Sequence, residues 1–452
     1  MLDTSHNNRE SFTTRFGIVC AAAGSAIGLG NIWRFPYMVG EHGGGAFLVM
    51  YLSIILVLGI PVMLSEFIIG RRGGLNTFGT FRKLAPGTGW WIIGAMGITA
   101  AFVILAFYTT IAGWTLAYIV KSVGNVFQGA SGAEVSQVFE EFHRGTFWPL
   151  FYQTIFLMLT VLIVFAGVKR GIETYNKILM PILAVLLVII AIRSVTLPGA
   201  GEGLKFLFFP DFSKINAQVV FAALGQAFFS LSVGMGAMIT YGSYIKKDNN
   251  LSTVATQVPI ADTLIAILAG VAIFPAVFAF GFDPGEGPGL VFHVLPKVFQ
   301  QMPGGYFVAI LFFVLLTIAA LTSAISILEV VVAFLMEEFK LTRKKATIVA
   351  SGAALFVGVF STLSFGVLRH IAIGDLNIFG FLDFTASKVM LPLGGLLIVV
   401  FLGWVMKASD VKDELSNGGT IKVRIFSGFW FVIRFIAPVA ISIIFLNSIG
   451  LI

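Results

Sequence analysis

The run Gly24-Ser-Ala-Ile-Gly-Leu-Gly-Asn-Ile-Trp-Arg-Phe-Pro36 constrains the fold of this chain more than any other segment. It places three glycines, a serine, an asparagine and an arginine inside an apolar stretch long enough to cross a bilayer. In hydrocarbon each unpaired backbone amide or carbonyl costs several kcal/mol, so irregular backbone survives only against other protein, water or an ion. A second interruption, Ser230-Leu-Ser-Val-Gly-Met-Gly236, follows about two hundred residues later. Paired interrupted helices in corresponding halves of a membrane chain point to a binding site between them.

The composition is that of a membrane protein throughout. Of 452 residues 58% are hydrophobic and 11% charged, with a mean hydropathy of +0.96, whereas soluble domains carry about 25% charged residues. The 50 glycines and 46 phenylalanines suit close-packed membrane helices, where glycine lets backbones approach. The net charge of +7 sits in short loops between apolar spans, so it carries no nucleic-acid signal. Cys20 is the lone cysteine, which excludes an intramolecular disulfide. The segment 1–10 is polar and contains acidic residues, no small-residue cleavage site follows the first apolar stretch, and a cleaved signal peptide is not expected.

With about 20 apolar residues per crossing, the chain reads as about eleven spans. They lie near 16–38, 44–70, 89–123, 147–167, 173–194, 218–244, 253–281, 306–337, 346–364, 379–406 and 425–449. Basic residues follow every second span: Arg71, Arg72, Arg82 and Lys83; Lys169 and Arg170; Lys246 and Lys247; Lys340, Arg343, Lys344 and Lys345. The positive-inside rule makes that side cytoplasmic, together with the N-terminus. The opposite loops, 124–146 and 282–305, are longer and mixed, with Glu134, Glu140, Glu141, Asp283 and Glu286. Because the breaks fall in the first and sixth spans, two inverted repeats are expected, about 12–195 and about 216–406, with a peripheral helix at about 425–449.

Gly28-Leu-Gly-Asn-Ile-Trp-Arg-Phe-Pro36, Gly43-Gly-Gly-Ala-Phe47, Gly225-Gln-Ala-Phe-Phe-Ser-Leu-Ser232 and Leu321-Thr-Ser323 occur in that order. In these residues the chain closely resembles the neurotransmitter:sodium symporter family, in its bacterial amino-acid branch with the LeuT-type fold. The resemblance covers essentially the whole chain. It implies an all-α polytopic membrane protein with a 5+5 inverted repeat and broken helices 1 and 6. It further implies a sodium-coupled symporter, in the plasma or inner membrane of a bacterium, importing hydrophobic or aromatic L-amino acids by alternating access.

Sodium is a hard cation that takes oxygen ligands. By the resemblance, a first sodium would meet the Ala26 carbonyl, the Asn31 amide oxygen, Ser230 through carbonyl and hydroxyl, Asp262, and the substrate's carboxylate. A second would meet the carbonyls of Gly24, Ile27 and Ala319 with the hydroxyls of Thr322 and Ser323. Taken alone, Thr322 and Ser323 read as hydroxyls bonded back to their own helix; the broken first span beside them favours the ion. Many family members carry asparagine at the position of Asp262 and use a chloride nearby. Tyr51, Gln226 and Ser230 resemble three chloride ligands here, but Ala266 stands where a fourth hydroxyl would be. At ~4 Å from sodium and an effective dielectric of about 20, a carboxylate attracts by roughly 4 kcal/mol. Chloride-independent transport is therefore expected.

The substrate is expected to bring its own carboxylate. The amides of Leu29 and Gly30 open a half-helix and form an anion site, and Gly28 replaces the aspartate of the family's monoamine carriers. Tyr108 resembles the residue whose hydroxyl bonds that carboxylate, while carbonyls around Ser25 and Phe229 would hold the amine. Ile104, Phe229, Ser232, Met235, Ser323 and Ile327 would shape the side-chain pocket, with Met235 adaptable in form. Plain helix packing is the ordinary reading of Ile104 and Ile327 without the resemblance. Two charged pairs are expected to gate the site: Arg34 with Asp383 outside, and Arg9 with Glu337 inside, aided by Tyr244 and by Phe12, where the family usually has tryptophan. Glu329 is an intramembrane carboxylate that either bonds within the bundle or titrates.

Rival classes fit less well. A channel needs a repeated or continuous polar lining, and this chain has one asymmetric site. It holds no phosphate-binding Gly-x-x-x-x-Gly-Lys loop and no His-Glu-x-x-His, and its five histidines are scattered, so no enzyme is expected. A non-transporting amino-acid sensor would share the pocket. The expected partners are sodium ions at two sites, a small amino acid and the lipid bilayer, with no nucleic acid.

Overall fold

The computed structural model describes residues 10–129, 132–285 and 290–451. Nine helices among them are long and apolar enough to cross a membrane. The first span is instead a bent pair, α1 (Arg15–Ala26) and α2 (Gly30–Glu41), turned by 52° at the glycine-rich run. The continuous helices α3 (Gly45–Gly73), α4 (Trp91–Val123), α5 (Phe147–Phe165) and α6 (Val168–Val195) follow. The second interrupted span consists of α7 (Ala217–Ser230) and the single-turn α8 (Ala237–Gly242). Then come α9 (Leu251–Ala279), α10 (Gly305–Glu338), α11 (Arg343–Leu363), α12 (Ile378–Val405) and α13 (Phe426–Ser448). The only strands among the described residues are Ala372–Ile373 and Leu376–Asn377, paired antiparallel outside the bundle.

Local chemistry explains both breaks. Thr14 caps α1, its side chain accepting from the Gly17 amide at 3.0 Å, and the helix stops where Ile27 turns extended (φ −75°, ψ 104°). In the second break Ser232, Gly234 and Gly236 all take positive φ, at 54°, 88° and 77°. Ser232 is unusual there, since a side chain disfavours that region. Its hydroxyl donates to the Ser25 carbonyl at 2.9 Å, which ties one break to the other. Gly234 has no room for a Cβ because the Leu391 carbonyl of α12 lies against it.

The helices around the breaks form the centre. The most apolar stretch of α10 is 72% buried and that of α13 only 28%, so α10 is a core element and α13 a lipid-facing one. The segments read as loops at 124–146 and 282–305 carry amphipathic helices, Gly132–Arg144 and Val294–Gln301. Phe139 of the first stacks on Phe292, just before the second, at 5.6 Å. Sequence periodicity was masked there by charged and proline-rich flanks.

At the Gly73 end of α3 a charged cluster pins the chain's last third. Arg71 donates to Glu414 Oε2 at 2.8 Å and to the Asn249 carbonyl at 2.8 Å, with both side chains of the ion pair 2% exposed. Arg72 bonds Asp410 at 2.8 Å beside it. Removing one partner of a buried pair strands the other charge. Arg71→Met is therefore expected to destabilise the protein by about 3–5 kcal/mol, and Arg71→Met combined with Glu414→Leu to recover most of that loss. Thermal unfolding in detergent compares the two; equal losses would show that the stranded Glu414 charge is not the cause.

Candidate functional site

Between α2, α3, α7 and α9 lies a buried polar cluster around Asp262. Asn31 Nδ2 donates to Asp262 Oδ1 at 2.7 Å, and the Ser230 hydroxyl donates to Oδ2 at 2.9 Å. The Tyr51 hydroxyl adds a longer contact to Oδ2 at 3.3 Å. Asn31, Asp262 and Tyr51 are fully enclosed and Ser230 is 1% exposed. Among the described residues no basic side chain pairs with Asp262 within 4.0 Å. A carboxylate with donors but no basic partner, deep in a membrane bundle, is neutralised either by a proton or by a cation. The Asn31 amide oxygen, expected to face sodium, instead accepts from the Gly28 amide at 3.0 Å, because its NH2 group is held by the carboxylate. Gln226 donates to the Gly30 carbonyl at 2.9 Å, and its Oε1 has no partner.

A second cage joins α1 to α10. The Ser323 hydroxyl oxygen lies 3.3, 3.1 and 3.3 Å from the carbonyl oxygens of Gly24, Ser25 and Ile27. Thr322 Oγ1 lies 3.0 Å from the Ala319 carbonyl and 3.4 Å from that of Ile27. One hydroxyl has one proton. Three carbonyls converging on Ser323 therefore leave an excess of lone pairs, which a small cation would balance. No cluster of three or more His, Cys, Asp or Glu forms a metal site among the described residues, so neutral oxygens make this cage.

Between the two cages lies a cavity of ≈ 20 Å³, room for about one water. Its wall contains Ser25, Ala26, Gly28, Leu29 and Gly30 from the first break, with Ile104 and Tyr108 from α4. Phe229, Ser232 and Met235 come from the second interrupted span, and Ser323 and Ile327 from α10. The Tyr108 hydroxyl accepts from the Leu29 amide at 3.3 Å, so both groups expected to meet a carboxylate are adjacent. Ser230, expected from the resemblance to meet the substrate as well as sodium, does not line this cavity; its hydroxyl donates to Asp262. Leu391 of α12 also lines the wall and went unnoticed in the sequence, where an apolar residue in an apolar span carries no signal.

Phe229 roofs this cavity and floors a vestibule of ≈ 260 Å³, which Arg34, Tyr108 and Asp383 also line. The expected Arg34–Asp383 pair is not closed: Arg34 Cζ sits 4.4 Å over the Phe229 ring, and Asp383 accepts from Ser387 at 2.8 Å. The vestibule separates the two charges, and the cation–π contact holds Arg34 on the roof.

At the opposite end Arg9 lies outside the described residues. Glu337 accepts from the Asn76 backbone and side-chain amides at 2.6 and 3.0 Å. Tyr244 donates to Glu329 at 2.7 Å, and Arg343 grips both Glu329 oxygens at 2.8 and 3.0 Å. Glu329 is thus ion-paired within the bundle. Phe12 packs edge-on against Tyr241 and Tyr244 at 5.6 and 6.0 Å. Glu173, 1% exposed, accepts from the Thr13 amide and hydroxyl at 2.9 and 2.6 Å and from Lys177 at 2.6 Å. The fork from Arg343 and the grip of Glu173 on α1 escaped sequence reading, because partners on other helices leave no local signal.

Glu66 of α3 was also missed. Fully buried, it accepts from the Gly234 amide at 2.6 Å and faces the amides of Met238 and Ile239, supporting the second break. Glu66→Leu would strand these donors at about 1–3 kcal/mol each, whereas Glu66→Gln keeps an acceptor. Thermal unfolding in detergent should rank the variants wild type, Gln, then Leu; an unharmed Leu variant would remove Glu66 from this role.

A membrane bundle with two interrupted helices meeting over oxygen cages and a small cavity is the architecture of a secondary transporter. Residues 9–141 and 135–451 match the sodium:neurotransmitter symporter family, and the chain belongs to that family. It is accordingly a sodium-coupled membrane transporter and not an enzyme. It is similar to the sodium-dependent transporter YhdH of Bacillus subtilis (strain 168), 42% identical over 97% of this chain and 98% of the relative. A sodium-dependent transporter of Haemophilus influenzae is 38% identical over 99% of this chain and all of its own. Among solved structures, MhsT in complex with L-phenylalanine superposes with a TM-score of 0.90 at 50% identity, covering 98% of this chain and 100% of MhsT. The fold is therefore the LeuT type.

Proposed function

We propose that this chain imports hydrophobic or aromatic L-amino acids together with two sodium ions, without chloride, across a bacterial plasma membrane with its N-terminus cytoplasmic. The observation that carries the reading is the adjacency of the Leu29 amide and Tyr108 hydroxyl to the Asn31–Ser230–Asp262 cluster. A substrate carboxylate bound to the first pair becomes a ligand of a sodium held by the second. Each then binds better with the other present, which is coupling in the thermodynamic sense. The ligand in the MhsT structure, L-phenylalanine, agrees with an apolar pocket containing Met235, Ile104 and Ile327.

The gates suit this cycle. The vestibule side is open above Phe229, while Glu329, Arg343 and Tyr244 close the other end. The cavity of ≈ 20 Å³ is too small for an amino acid, so substrate entry must move Phe229 and Met235 outward. Sodium in the Gly24–Ser323 cage joins α1 to α10; its loss inward frees α1 to swing from the bundle. Each charge crossing 100 mV contributes about 2.3 kcal/mol, so two sodium ions with a zwitterion gain about 4.6 kcal/mol beyond their gradient.

Uptake in proteoliposomes tests this. Competition among all twenty amino acids should favour apolar and aromatic ones, and strong inhibition by glycine or lysine alone would contradict the pocket. Replacing chloride by gluconate should leave the rate unchanged, whereas a several-fold rise on adding chloride would sink the role given to Asp262. Asp262→Asn removes the fixed charge and should make uptake chloride-dependent.

A further inference from the structure

We infer that Asn176 is a further oxygen ligand of the second sodium, completing its cage from α6. The inference rests on the sodium reading above and adds a residue to it. Asn176 is fully buried, and its Nδ2 donates to the Ile172 carbonyl of its own helix at 2.8 Å. That bond fixes the amide plane and turns Oδ1 the other way. Oδ1 has no hydrogen-bond partner. It lies against the backbone of Gly24, in the space a Cβ there would occupy, and that same Cβ would sit 3.3 Å from Thr322 Cβ. Gly24 and Thr322 are both members of the second cage, so the orphan oxygen borders the cage between α1 and α10.

The groups of the second cage offer Oδ1 no donor. The surrounding cage groups are carbonyls, which only accept, and the hydroxyls of Thr322 and Ser323, whose protons face carbonyls. The nearby ammonium of Lys177 is held by Glu173 at 2.6 Å. An amide oxygen buried without a donor costs free energy comparable to a lost hydrogen bond. A cation at the cage removes that cost and gains a hard-oxygen ligand. The position matters as well. Asn176 stands on α6 three residues beyond Glu173, which grips Thr13 and Thr14 at the start of α1. On the proposed orientation it therefore sits on the cytoplasmic flank of the cage, the side by which the ion leaves. The same oxygen that strengthens binding then sets the rate of inward release.

Thermal stabilisation of the purified full-length protein by sodium chloride, against choline chloride and without amino acid, reads the second site most directly. The first cage lacks its proposed substrate ligand under these conditions. Wild-type protein should gain stability with a saturable sodium midpoint; if it does not, the sodium reading itself fails, whatever Asn176 does. Given that gain, Asn176→Leu should raise the midpoint about tenfold. Asn176→Asp keeps the oxygen, adds charge, and should lower the midpoint about threefold or more while slowing sodium-coupled uptake. A leucine midpoint within about twofold of wild type overturns the inference. So does an aspartate variant whose midpoint is unchanged or raised, and that second arm stands even if the leucine variant does not fold.

Discussion

Backbone groups freed from a helix inside a bilayer must find partners within the protein, and this obligation organises the whole molecule. Each of the two breaks answers it in part through the other. Ser232 donates to the Ser25 carbonyl across them, Asn31 takes the Gly28 amide on its own oxygen, and Glu66 receives the Gly234 amide. What remains after this pairing is a surplus of oxygen. The Gly24, Ser25 and Ile27 carbonyls converge on the single hydroxyl of Ser323, and Asp262 has donors but no basic partner among the described residues. The proposed sodium sites would use this surplus of oxygen.

Coupling follows from sharing. The cavity is bounded by the break that carries the first cage and by the α10 serine of the second, so any occupant touches the walls of both. Under the proposed function, a zwitterion's carboxylate would meet the Leu29 amide, the Tyr108 hydroxyl and the first sodium together. Ile104 of α4, Ile327 of α10, Leu391 of α12 and Met235 supply the apolar part of the cavity wall.

The two ends of the molecule are held differently. On the vestibule side one guanidinium rests on an aromatic ring, a contact of modest strength that a moving Phe229 can break. At the other end a buried fork from Arg343 to Glu329, reinforced by Tyr244, is joined by the Glu173 contacts to Thr13 and Thr14. Buried ion pairs have small net worth because desolvation offsets attraction.

The amino-acid sequence alone determined the membrane class, the number of spans to within the ambiguity of broken segments, and the position of both breaks. Those properties rest on composition and on glycine and polar residues in apolar runs, which are local. Asp262, Asn31, Ser230, Thr322 and Ser323 were pointed to by the resemblance that the motifs around the breaks carry, whereas polarity alone left Thr322 and Ser323 as hydroxyls bonded to their own helix. Only the tertiary structure decided which way the Asn31 amide turns, that Arg34 lies over Phe229 and not beside Asp383, that Arg343 answers Glu329, and that Leu391 and Asn176 border the cavity and cage. Each of these depends on helices distant in sequence arriving at one place. Hydropathy ranks residues by their solvent, whereas side-chain partners are chosen by distance, and distance exists only once the helices have packed.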